Sequence, residues 1–317
     1  MAGSPKFFGR KYKLTLDIPG VKKLVFEVED GKPAMDIKFD VTYARGQVAR
    51  EGTVSVLGLS LDTMHSFLDL AGMTRGKAMS ELVRVKLEAG YFSSAGMVEI
   101  LNGFAWYATV TSPPTMWLNI KVSEYNPMGG RKVAVSYTEP MRLEDAVNHI
   151  MSQFEEVEGG ITFSVEDRTE DELLSKDDKV KLSFPTSEIT LSEAIQELNR
   201  QCSDEIQFIL KTSENDDDCR TLLAVDKNIR KSTPGDVEVD GENGLLSVTG
   251  IDAINGCITT FIDGTVEDEM SHLVLTSALN PQANGRYYIV KKQFIGHYMG
   301  QEWYARYFCS AREGDPE

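Results

Sequence analysis

The residues of this chain best equipped for chemistry stand at spacings that known chemistry does not use. Around Gly72-Met73-Thr74-Arg75-Gly76-Lys77-Ala78 a phosphate loop would need four residues between its glycines and a Ser or Thr after the lysine to hold magnesium. Three intervene, and Ala78 follows Lys77, so a helix end and a turn are expected instead. Asp236, Glu238 and Asp240, with Gly241 in sixth place, resemble the opening of a calcium loop. Its twelfth position is Ser247 and not the bidentate Glu, so a solvated acidic linker is expected. Asp216-Asp217-Asp218 lies between two apolar runs and is expected at a hairpin tip kept in water. His65, His149, His272 and His297 form no cluster and stand beside no nucleophile in a known local signature; no G-x-S-x-G occurs. Cys202, Cys219, Cys257 and Cys309 are far apart without C-x-x-C spacing, which suggests reduced thiols and neither a disulfide framework nor a zinc site. Carboxylates are too numerous for any two to stand out as an acid/base dyad. No catalytic, cofactor-binding or metal-binding residue is expected, and the chain is expected not to be an enzyme.

The elements around these residues are mostly strands. In the front, Tyr12, Leu14, Leu16 and Ile18 alternate with polar residues, as do Met35, Ile37, Phe39, Val41 and Tyr43, the mark of strands with one buried face. After another β-rich run at 52–58, Ser60 or Asp62 can cap a short helix bearing Met64, Phe67, Leu68 and Ala71, closed by Gly72. Runs at 82–89, 96–101, 106–110 and 117–122 return to strands, and together they predict an antiparallel barrel with one helix over 1–125. Pro127, Gly129 and Gly130 then break regular structure.

An internal repeat follows over 131–226. A short strand at 133–137 precedes a helix with Leu143, Ala146, Val147, Ile150 and Phe154 on one face, and 161–165 supplies a strand. The same order recurs with a strand at 180–184, a helix bearing Leu191, Ala194, Ile195, Leu198 and Cys202, and a strand at 206–210. Thr190 and Glu193 make a capping box for the second helix only. Residues 227–244, with Ser232, Thr233, Pro234 and Gly235, are expected as a linker, and five β runs over 245–317 predict a second barrel. The expected fold is thus mixed and mainly β: two antiparallel barrels flanking an α+β middle region of two β-α-β repeats.

Charge divides the chain in the same way. Residues 131–243 hold 27 acidic and 13 basic side chains, so this middle region accounts for 14 of the net charge of −16. Such a balance excludes a basic, phosphate-neutralising nucleic-acid surface. The first residues show no apolar core of signal-peptide length, and no stretch approaches the roughly 18 apolar residues of a membrane span, so cytoplasmic synthesis and assembly are expected.

Two stretches carry a resemblance. The first runs Leu87-Glu88-Ala89-Gly90-Tyr91, then Gly96-Met97-Val98-Glu99-Ile100-Leu101-Asn102-Gly103. It is similar to the "L-x-A-G-Y … G-x-I-F-x-G" pattern of the tube-like domain in baseplate hub proteins of contractile-tailed phages, the T-even and Mu-like hub family. Leu101-Asn102 stands where that family places an aromatic before its second glycine. The second stretch, Gly285-Arg286-Tyr287-Tyr288-Ile289-Val290, then Gly296-His297-Tyr298-Met299-Gly300 and Trp303-Tyr304, resembles the family's closing hairpin. The resemblance implies two tube-like domains per chain, a homotrimer forming a pseudo-sixfold ring, a spike protein below, a tail tube or tube-initiator protein above, other baseplate partners, and DNA only in transit. It implies a virion baseplate location without membrane binding. It also marks Gly90, Tyr91, Gly96, Gly103, Gly285, Tyr287, Gly296, Gly300 and Trp303 as structural or interface residues, with ring contacts expected on strand edges near Gly90-Tyr91 and the Trp303 strand. Two other classes stand beside it: a tail-tip carbohydrate- or receptor-binding module using Trp106, Trp117 and Trp303 as sugar platforms, and a peptidoglycan hydrolase, for which no nucleophile or acid motif is present.

Overall fold

The structure is a computed structural model that describes residues 9–71, 74–93, 96–135, 140–169, 171–176, 179–180, 188–202, 205–213, 216–227, 236–242, 244–250, 256–262 and 272–312. Gly72, Met73, residues 228–235 of the expected linker, and parts of the strands expected at 133–137 and 180–184 lie outside them.

In the front region the alternating residues become β1 (Arg10–Ile18), β2 (Lys22–Glu27), β3 (Ile37–Ala44) and β4 (Glu51–Leu57), then α1 (Leu61–Ala71), β5 (Arg84–Tyr91), β6 (Met97–Val110) and β7 (Trp117–Ser123). Ser60 is the residue that caps α1, its Oγ accepting from the Thr63 N–H. Leu14, Leu16 and Ile18 are at most 2% exposed, which stabilises the fold by roughly 1.5–3 kcal/mol each. The runs expected at 96–101 and 106–110 are one long strand, β6, whose register slips between Ala105 and Tyr107. That bulge turns Trp106 half outward.

The middle region contains β8 (Lys132–Val133), β9 (Met141–Arg142), α2 (Leu143–Glu158), β10 (Thr162–Asp167), β11 (Lys179–Val180), β12 (Ile189–Thr190), α3 (Leu191–Gln201), β13 (Ile206–Thr212) and β14 (Cys219–Asp226). Each helix and the strand after it fall where the repeat places them, and the Thr190–Glu193 capping box is present. The strands before the helices differ. They are two-residue pieces that cross-pair, β8 with β12 and β9 with β11, outside the three-stranded sheet β10-β14-β13. The two units are therefore interlocked and not two separate parallel β-α-β crossovers. β13 is buried along its whole length because the helices cover one face and Tyr43 of β3 meets the other, beside Ile209, Leu223 and Val225.

The rear region comprises β15 (Asp236–Asp240), β16 (Leu245–Thr249), β17 (Gly256–Thr260), β18 (His272–Thr276), β19 (Gly285–His297) and β20 (Trp303–Arg312). β15 falls inside the segment expected as linker and pairs in parallel with β18. On this strand Glu238 is exposed between buried Val237 and Val239, in extended backbone and not in a loop.

A closed or nearly closed antiparallel barrel is expected at each end; the strand pairing joins the two runs. The front order β2-β1-β5-β6-β7-β4-β3 continues directly into β19, since Lys291–His297 pair with Lys38–Ala44 of β3. The rear strands follow as β15-β18-β19-β20-β17-β16, and all 13 strands form one sheet around one hydrophobic core drawn from both regions. Among the described residues neither run closes on itself by strand pairing. β19 makes this possible because it is 13 residues long: its first half pairs with β18 and its second with β3, while β20 follows it throughout. No helix among the described residues is long and apolar enough to cross a membrane.

Candidate functional site

The two stretches singled out in the sequence meet at the seam between front and rear regions. Tyr91 ends β5 and is 5% exposed; its hydroxyl donates to the Trp303 carbonyl at 3.3 Å, and its ring meets Phe261 edge-on at 5.8 Å. Trp303 opens β20 at 3% exposure, with Phe39 at 5.2 Å and Tyr298 at 6.4 Å between ring centroids. Gly296 lets the Phe39 ring lie against its Cα: a Cβ there would sit 2.2 Å from ring carbons. Gly300 lies in the turn that joins β19 to β20, its N–H donating to the His297 carbonyl.

Arg10, at the start of β1, clasps that turn. Its guanidinium donates to the carbonyls of His297 (2.9 Å), Tyr298 (3.3 Å), Gly300 (2.6 Å) and Gln301 (3.0 Å), and stands 5.7 Å from the Trp303 ring centroid. On the other side, Asp36 accepts from the Met299 N–H at 3.1 Å and contacts His297 Nε2 at 3.0 Å. Burial pushes the Tyr12 hydroxyl well above its ordinary range; it donates to the Met35 carbonyl, and its ring packs on Tyr298. The turn is held by a cation, a carboxylate and three aromatic rings, all from the front region.

The remaining marked residues lie elsewhere. Gly90 of β5 pairs with Met97 of β6, and a Cβ on Gly90 would reach 2.5 Å from the carbonyl oxygen of Gly96, the residue before β6. Gly285 and Tyr287 stand at the far end of β19, Tyr287 buried with its hydroxyl on the Ala283 carbonyl. Gly103 sits at a second junction, between front and middle regions, where a Cβ would come within 2.4 Å of the Ser123 carbonyl oxygen. β5 pairs on both sides, with β1 and β6, and β20 pairs with β19 and β17, so within the chain neither of these strands is a sheet edge.

The second junction is polar and buried. Asn102, the departure from the family pattern, is fully buried and donates to Asp217 at 2.7 Å; Lys86 donates to the same carboxylate at 2.8 Å, and Arg84 pairs with Asp218. The acidic hairpin tip between β13 and β14 is thus docked on the front sheet and not simply solvated. Arg220 is 0% exposed, donates to the Glu124, Asp217 and Cys219 carbonyls, and lies over the Phe104 ring at 4.9 Å. Burial pulls its pKa down to about 10. Glu124, 1% exposed, accepts from the N–H groups of Arg50 and Thr212. Arg45 touches all three regions: its backbone N–H donates to the Val290 carbonyl and its guanidinium to the Asp226 carbonyl. Sequence reasoning singled out none of Arg10, Asp36, Arg45, Glu124 or Arg220, because their long-range partners lie between 74 and 291 positions away.

This arrangement fixes three regions against one another and brings no reacting constellation together. Among the described residues no group of three or more His, Cys, Asp or Glu is placed to hold a metal ion. Trp106 and Trp117 are half-buried under the ammonium groups of Lys121 (5.3 Å) and Lys38 (4.2 Å), and are not bare platforms.

The fold has relatives among solved structures. It is similar to a tail protein from Neisseria meningitidis MC58 (TM-score 0.56, 9% identity, 97% of this chain and 98% of that one). It is also similar to the 43 kDa tail protein of prophage MuSo2 from Shewanella oneidensis (0.55, 7%, 95% and 98%). A third is the E. coli c3393 protein, a type VI secretion component described as similar to the T4 tail proteins gp27 and gp5 (0.52, 7%, 94% and 77%). No curated protein matches the chain. At these identities the likeness is one of fold; the family is fixed by the sequence model described as baseplate hub gp41, which matches residues 21–309, nearly the whole polypeptide. The chain, with its buried seam and docked middle region, belongs to the baseplate hub family.

Proposed function

We propose that this protein is a structural subunit of a phage-tail baseplate hub, acting as a homotrimer in a pseudo-sixfold ring that joins the central spike to the tail tube and lets DNA pass. In this role it has no catalytic activity and no cofactor, it contacts a spike protein, a tube or tube-initiator protein and other baseplate proteins, and it assembles in the host cytoplasm into the virion tail. The observation that supports this best is the seam: front and rear strand runs share one sheet and one core, so two ring segments in one chain would move as a rigid pair. Matching a threefold spike to a sixfold tube requires each chain to supply two coupled segments. The near-neutral end regions also fit a passage for DNA, since a basic stripe would retain phosphates.

Electron microscopy of the purified chain, alone and with its spike partner, tests this. A ring of three chains is expected, in which front and rear runs superpose by a rotation of about one sixth of a turn. A persistent monomer in both preparations, or end regions that cannot be superposed in the ring, overturns the reading.

A further inference from the structure

We propose that the junction between the front and middle regions is a binding site for one buried water molecule, held by Arg220 of the middle region and by Asn102 and Ser123 of the front region. The site lies inside one chain and stands apart from how copies assemble. All three residues are 0% exposed. Each has one buried side-chain polar atom without a hydrogen-bond partner among the described residues: Arg220 Nη2, Asn102 Oδ1 and Ser123 Oγ. Native interiors rarely leave such atoms unsatisfied, and ordered water is the usual partner where the protein supplies none.

The strand register gathers these atoms around one ring. Ser123 of β7 stands opposite Phe104 of β6, and Asn102 is two positions along the same strand, so the three share a face of the front sheet. That face is turned to the middle region, since Phe104 packs in the core that includes both of its helices. From the other side Arg220 lies over the Phe104 ring at 4.9 Å. Its Nε donates at 3.1 Å to the carbonyl of Glu124, the residue after Ser123, and its Nη1 at 2.9 Å to the carbonyl of Asp217. The guanidinium is planar and rigid, so these two bonds fix Nη2 within the same junction.

The hydrogen-bonding character of the three atoms selects the ligand. Asn102 Nδ2 donates to the carboxylates of Asp217 at 2.7 Å and Glu99 at 3.4 Å, and turning the amide over would set its oxygen against both. Asn102 Oδ1 therefore requires a donor, Arg220 Nη2 can only donate, and the Ser123 hydroxyl can do either. An anion would face the Asn102 oxygen, and a cation would stand against the guanidinium. A water accepts from Arg220 and donates to Asn102 and Ser123, which satisfies all three. It would join β14 to β6 and β7 and give the buried charge of Arg220 one more dipole.

A crystal structure of the full chain, at a resolution that reveals ordered solvent, tests the site directly. The expected result is a solvent peak within hydrogen-bond distance of Arg220 Nη2, Asn102 Oδ1 and Ser123 Oγ. Direct pairing of the three atoms with protein groups and no peak between them, or a peak that refines as an ion, overturns the inference. Ser123→Ala gives a second measure whose sign decides. A buried hydroxyl without a partner is unfavourable, so its removal would leave stability unchanged or raised, whereas a hydroxyl bonded to water loses that bond. The folding equilibrium constant of Ser123→Ala, read by urea unfolding, is expected to fall between about twofold and tenfold. An unchanged or larger constant also overturns the inference.

Discussion

Four backbone carbonyls converge on one side chain at Arg10, and what that guanidinium does there a lysine cannot. Its planar fork reaches the carbonyls of His297, Tyr298, Gly300 and Gln301 together, whereas an ammonium is a single point of charge on a flexible stem. Arg10→Lys is therefore expected to destabilise the chain by roughly 1–2 kcal/mol and to shift Trp303 fluorescence to the red as water reaches the turn, read by thermal melting and emission spectra. An unchanged melt and spectrum would remove the clasp from the account. A second residue makes a prediction about pH. Glu158, 1% exposed at the end of α2, accepts from the Met79 N–H, and burial, opposed by that bond and by Arg131, pushes its pKa up to about 7. A raised carboxyl binds its proton more tightly folded than unfolded. Its contribution to stability is thus fully present below the unfolded value near 4.5 and is lost as pH rises through about 7. Glu158→Gln keeps the acceptor without the charge, so it is expected to be more stable than the native chain at pH 8, on the order of 3 kcal/mol, with the difference gone near pH 4 in denaturant titrations. At this scale the sequence revealed the glycines that allow close approach, because glycine in a strand is itself a signal. Arg10 and Glu158 were illegible because an isolated charge in sequence says nothing about burial or distant acceptors.

Elements were legible in proportion to how local their cause is. The Thr190–Glu193 box and the apolar stripe of α3 lie within a few residues and were read correctly, as was the order of helix and following strand in each half of the repeat. The two-residue strands β8, β9, β11 and β12 exist only because their partners lie across the repeat, and no periodicity can accumulate over two residues. The β13–β14 hairpin shows the same limit: three successive aspartates at its tip predict solvation, yet Lys86 and Asn102 from the front sheet receive Asp217, and Arg84 receives Asp218. The Lys86–Asp217 pair is part-exposed, so a double-mutant cycle with Lys86→Ala and Asp217→Ala is expected to give a coupling of about 0.5–1 kcal/mol, measured by urea unfolding. Additive effects would mean the tip touches the front sheet without being held by it.

For the whole molecule the decisive fact is that one strand belongs to two regions. The sequence places strands at both ends and breaks between them, which invites three independent units; pairing of β3 with β19, some 250 positions apart, cannot be read from period-two patterns, since these specify which face of a strand is buried and not which strand lies beside it. The resemblance to hub proteins conveyed the order of the motifs but not that Tyr91 and Trp303 would be joined inside one chain. A consequence follows for stability. A fragment of residues 1–125 would leave the β3 edge unpaired and uncover Tyr12 and Phe39, which Tyr298 and Trp303 now pack against. Such a fragment is expected to aggregate or remain without fixed tertiary structure, while in the intact chain the front and rear regions melt in one transition. Near-ultraviolet circular dichroism of the fragment and calorimetry of the chain check both halves of this. A soluble fragment with a sharp melt of its own would show that the shared sheet is an accessory to two self-sufficient barrels, and the rigid coupling on which a two-segment ring subunit depends would have to come from elsewhere.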